Sequence, residues 1–275
     1  MEFFEDHFKS KEELIEMFND IEKENIAKNE KNYNGIIESF NNVIFKFTSL
    51  SFALLEKGNV KTKKQFYTNG YLTSIANNYL TIKNIFLSGF HFQLQNIIRS
   101  QFEQLNILIS FLYDDNFFEK FTKKIENKDS IFTPKLKNSE KIIKKIFSSE
   151  VNFSNKELEL FLNPLFKETY YKLSEATHGN LQRATIHSME SNGKDSMTFA
   201  LGGTHKPNNE IIEFISDLNN YSQVIWIMVK SKLKKDNHLN GNQSKEHLKI
   251  SEQPFFTDYN GKKIDYELII KENKI

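Results

Sequence analysis

The chain has no cysteine, only 4 prolines and 10 glycines, and just two arginines, Arg99 and Arg183, among its 37 lysines and arginines. Without cysteine there is no disulfide framework, no thiolate zinc site and no cysteine nucleophile. The scarcity of proline and glycine, with long apolar periodicities between them, points to an all-helical fold. A formal net charge of +1 provides no global positive field to gather nucleic acid or an anionic membrane, although local patches could still form. No apolar run approaches the roughly 18 residues that span a bilayer. The opening "MEFFEDHFKSKEEL" lacks the basic and apolar regions of a signal peptide. These absences together predict a soluble, cytoplasmic protein. Lysine, asparagine, isoleucine and phenylalanine are abundant, as AT-rich codons would give, and this sets the two arginines apart.

The periodicity predicts helices over 11–31, 34–57, 63–87, 90–113, 116–128 and 139–148. A further helix is opened by the capping-box pattern "SNKE" at 154–157, another runs from Pro164 to about Thr177, and a last one covers 208–234. Gly89 in "LSGF" allows a tight break, so the helices at 63–87 and 90–113 are expected to form an antiparallel hairpin. Residues 179–207 read as irregular, and "MTFAL" at 197–201 could form a short strand. Asn260-Gly261 between alternating residues is a hairpin signal, because a type I′ turn needs positive φ at both central positions. The expected organisation is N-terminal helices over 1–62, a main helical bundle over 63–234, a linker over 235–253 and a small β-hairpin over 254–275.

Lysine is absent from Asn84 to Glu119, and between Asn84 and Tyr113 the only charges, histidine apart, are Arg99 and Glu103. A solvated helix of this chain would carry lysine, so the helix at 90–113 is expected to be buried on most of its circumference. Phe92, Asn96, Arg99, Glu103, Asn106 and Ser110 fall along one face at spacings of three or four. Arg99 and Glu103 can meet at i,i+4. The planar guanidinium could also bridge to another helix in a way that lysine cannot, so Arg99 reads as a buried geometric clamp. A second lysine-free window, between Lys172 and Lys194, holds Ser174, His178, Arg183 and His187, and "YYKLSEATHGN" at 170–180 leads into it. Ser174 and His178 share a helical face, and Gly179 would leave His178 at a helix C-terminus, where the dipole favours the imidazolium.

"RSQFE" (Arg99 to Glu103) after a glycine-broken helical hairpin, followed by "YYKLSEATHG", resembles a bacterial all-helical family of unknown function. Its members share R-[ST]-x-x-E on one helix and Y-x-x-L-S-x-x-x-H on a later one. The resemblance spans roughly 65–235 and implies that Arg99, Glu103, Ser174 and His178 cluster in space. More distantly the chain is similar to HEPN-type helical bundles, among which are ribonuclease toxins and phage-defence proteins. Their signature is R-x4-6-H, whereas "RATIH" (Arg183 to His187) has one intervening residue fewer than its minimum.

Two chemistries compete for these residues. In one, His178 is a general acid/base beside Arg99, which would stabilise an anionic transition state, with Glu103 in the same catalytic set and Tyr170, Ser174, Arg183 and His187 assisting in binding. In the other, Arg99, Glu103, Ser174 and His178 form a buried polar network that fixes helix register. The 7 histidines form no H-E-x-x-H or related ligand pattern, so neither metal nor cofactor is expected. "LGGTHKPNN" at 201–209 lacks the Gly-Lys-Ser/Thr ending of a phosphate loop and reads as a turn before the last helix. Trp226 in "VIWIMV" reads as core, with an interface anchor as the alternative. The expected function is that of a bacterial helical interaction or sensor protein in phage or stress defence, whose partner is another protein or a second copy. The alternative is a nuclease-like or other phosphodiester-directed enzyme using His178 and Arg99.

Overall fold

Glycine at position 89 organises the fold. In the computed structural model it adopts φ 85°, ending α3 (Lys63–Ser88) and letting α4 (His91–Tyr113) turn back along it. The structure describes residues 10–55, 62–128, 136–151, 162, 165–177, 189–191, 197–199, 203–204, 206–207, 209–239, 256–257 and 263–264. Among them the chain is mostly helical. The other helices are α1 (Lys11–Asn32), α2 (Asn34–Leu55), α5 (Asp115–Glu126), α6 (Leu136–Val151), α7 (Tyr170–Thr177) and α8 (Asn209–Lys235).

Local sequence sets these boundaries. Ser10 caps α1 by accepting the Glu13 N–H at 3.2 Å, and Asp114 caps α5 by accepting that of Phe117 at 3.1 Å. Thr62 and Gln65 form a reciprocal capping box at the start of α3, each side chain holding the other's backbone N–H. The α3–α4 elbow is held from two sides. The carboxamide of Asn29 donates to the carbonyls of Leu87 (2.9 Å) and Phe86 (3.3 Å), and Asn25 donates to that of Ser88 at 3.4 Å. These are the carbonyls that a helix end leaves without intrahelical partners. On the other side Thr204 donates its N–H to Gly89 O at 3.1 Å. A Cβ on Gly89 would lie 2.4 Å from Thr204 O, and one on Gly203 (φ 94°) would lie 2.4 Å from Ser88 O. Only glycine fits at either position.

α4 lies at the centre, with α3, α5, α6, α7 and α8 all packed against it, while α2 packs on α3 and α8. The core is continuous and aromatic: Phe40, Phe47, Tyr79, Phe86, Phe102, Phe111, Phe214 and Trp226 are almost fully buried. Trp226 is therefore core, and its indole N–H donates to the Lys46 carbonyl at 3.2 Å. No helix among the described residues is long and apolar enough to cross a membrane.

The predicted C-terminal β-hairpin is not supported. The described residues there hold only a two-residue antiparallel contact, Phe256–Thr257 with Lys263–Ile264, too short to stand alone. The Asn260-Gly261 turn lies outside the described residues. A similarly short pairing joins Met189–Ser191 to Met197–Phe199.

Candidate functional site

α7 begins where a short π-helical turn (Leu165–Thr169) ends, and it packs against α4. That places Tyr170 over the Arg99–Glu103 pair. Arg99 Nε donates to Glu103 Oε1 at 3.1 Å. The Tyr170 hydroxyl donates to the same oxygen at 2.9 Å, and Arg99 Cζ lies 5.8 Å from the Tyr170 ring centroid, within cation–π range. Burial pushes the Tyr170 phenol above its usual range, and the hydrogen bond to Glu103 and its charge add to that. The Arg99 charge partly offsets these effects.

The structure brings Arg99, Glu103 and Tyr170 together, with Ser174 half-buried one turn along α7. His178, Arg183 and His187 lie outside the described residues. Arg99 is not a sealed clamp: its side chain is 21% exposed and that of Glu103 26%. The physical reason is that the lysine-free window is only partly a buried one. α4 is buried from Leu105 to Leu112, but Gln93, Asn96 and Ser100 are exposed on its first half. The link to α7 is shared: Tyr170 donates to Glu103, while Arg99, paired with that carboxylate, also hydrogen-bonds Tyr170 and lies over its ring.

A second, more deeply buried polar network runs along α8. Asn219 donates to Ser39 Oγ at 2.9 Å, Ser222 shares a 2.6 Å hydrogen bond with the Tyr79 hydroxyl, and the Tyr221 hydroxyl donates to Asn106 Oδ1 at 2.6 Å. Gln223 Oε1 accepts from Lys46 Nζ at 2.5 Å. Lys46 is 2% exposed and its ammonium lies 4.9 Å from the Trp226 ring centroid. The sequence carried no signal for this lysine beyond its position within the apolar density of α2.

Three more features escaped the sequence reading. Tyr171, the residue after Tyr170 on α7, is 63% exposed, and α2 presents Phe45 and Phe52 to solvent two turns apart. Asp217 on α8 accepts a hydrogen bond from Thr169. Burial lifts its carboxyl to about 6, the charges of Glu213 and Glu168 add to the rise, and Thr169 and Lys172 oppose it. Among the described residues no group of three or more His, Asp or Glu side chains could hold a metal ion.

Comparison with protein-family models, with curated proteins and with solved structures found no match for this chain.

Proposed function

We propose that this chain is a cytoplasmic helical interaction or sensor protein, working in bacterial phage or stress defence through the polar and aromatic face shared by α4 and α7. The observation that carries this reading is the exposed ring of Tyr171, the residue that follows on α7 the Tyr170 tied to Arg99 and Glu103. Tyrosine and arginine are enriched at the energetic centres of protein interfaces, because they offer large, stiff contact areas with a polar end. Here α4 holds Arg99 and Glu103 at the rim, Tyr170 ties α7 to them, and Tyr171 is left free to meet another protein or a second copy. The defence setting rests on the resemblance to HEPN-type bundles alone and is an analogy of fold.

The alternative is a phosphodiester-directed enzyme using His178 and Arg99, and it draws on the solvent reaching Arg99. Against it stands the Glu103 carboxylate, which already neutralises the guanidinium that a phosphoryl group would need. Incubating RNA and DNA with the purified protein separates the two readings. The interaction reading predicts that both remain intact. Cleavage that is lost in folded Arg99→Lys and His178→Ala variants would replace it with the enzyme.

A further inference from the structure

A cleft of about 470 Å³ opens where the α1–α2 elbow meets the start of α8. That volume falls within the range of small-ligand pockets. Its apolar surface comes from Ile36, Ile212 and the ring of Tyr33. The ring is fixed from behind by an edge-to-face contact with Phe86, with centroids 5.6 Å apart at 77°. Its polar lining residues are Glu213, Asn32 and Asn209.

Among the described lining residues the one charged side chain is the Glu213 carboxylate. Glu213 is half-buried, and no cation among the described residues is paired with it; the nearby Lys172 goes to Glu210, at 3.9 Å. Its field reaches Asp217, one turn further along α8, whose carboxyl it helps to lift. The N-terminus of α8 contributes about half a positive charge, which one full carboxylate charge outweighs. An anion is therefore disfavoured, and a cation would gain both the carboxylate and the aromatic ring.

We propose that this cleft is a binding site for a small organic cation, an ammonium group on an apolar body about the size of one ring. Glu213 takes the charge, Asn32 and Asn209 supply hydrogen-bond acceptors at the rim, and Tyr33, Ile36 and Ile212 enclose the body. The site does not depend on the protein-contact role of α4 and α7.

The test is methyl NMR of the full chain labelled at isoleucine, titrated with phenethylamine and, separately, with 3-phenylpropionate, which has similar size and opposite charge. The expected result is a saturable shift of the Ile36 and Ile212 methyls with the amine alone. Glu213→Gln should weaken that binding by about ten-fold or more. Glu213→Lys should reverse the preference towards the carboxylate, which a variant that merely disturbed the fold would not do. Absence of a shift with the amine, or equal shifts with both probes that survive Glu213→Gln, would overturn the proposal.

Discussion

The hydroxyl of Tyr170 and the Nε of Arg99 converge on one oxygen, Oε1 of Glu103, at 2.9 and 3.1 Å. Two helices distant in sequence are thus joined through a single carboxylate whose charge is already balanced. The three side chains should behave as a unit in a double-mutant cycle. Tyr170→Phe should cost about 0.5–1.5 kcal/mol in the wild type and clearly less in a Glu103→Gln background, measured by urea denaturation. Equal costs in both backgrounds would mean that the hydrogen bond does not couple α7 to α4.

Lys46 and Gln223 form a deeply buried polar contact between α2 and α8. Lys46→Met strands Gln223 Oε1 in the core and should destabilise by about 1–3 kcal/mol. The double variant Lys46→Met, Gln223→Leu should recover most or all of that loss, because replacing a buried polar pair with apolar groups is often neutral. A double variant worse than the sum of the singles would contradict this account.

Asp217 gives the protein a pH dependence with a defined sign. Its folded pKa, about 6, lies above the usual 3.8, so the folded state holds the proton more tightly than the unfolded chain. Its contribution is fully present below about pH 4 and is lost as pH rises through about 6. Asp217→Asn, which keeps an acceptor for Thr169, should flatten this part of the stability profile. At pH 7 it should stabilise by up to about 1–3 kcal/mol. A wild-type profile whose slope between about pH 4 and 6 is unchanged in the variant would refute the assignment.

Three glycines should respond to alanine in opposite ways. Gly89→Ala and Gly203→Ala place a Cβ 2.4 Å from backbone oxygens at positive φ and should each cost several kcal/mol or prevent folding. Gly70 lies within α3 with nothing within 4 Å of an added Cβ, so Gly70→Ala should stabilise by about 0.5–1 kcal/mol. Thermal unfolding of the three variants decides the matter.

The helical body was legible in the sequence because its signals are local. Gly89 marked the elbow, the apolar spacing marked the helices, and the missing lysines marked the burial of α4 from Leu105 onward. The same lysine rule misjudged Arg99, since uncharged Gln93, Asn96 and Ser100 also face solvent without adding a charge. It missed Lys46 for the converse reason: a lysine pattern reads as solvent exposure, and burial depends on Gln223 and Trp226, which lie far away in the chain. Pairing Arg99 and Glu103 was a matter of i,i+4 spacing. The third member, Tyr170, was grouped with them only through a motif, and its hydrogen bond needed the fold. The cleft beside Glu213 combines residues from both ends of the described chain, and no window of sequence contains it.

The most direct test of the protein-contact role is photocrosslinking from position 171 in cells of the source organism. A photoreactive phenylalanine analogue would replace Tyr171, with the same analogue at Phe66, an exposed residue on α3, as the control. The account predicts a discrete crosslinked species from position 171, identified by mass as another protein or a second copy, absent from position 66 and lost with a folded Arg99→Ala variant. No position-specific product from 171, or one indifferent to Arg99, would contradict it.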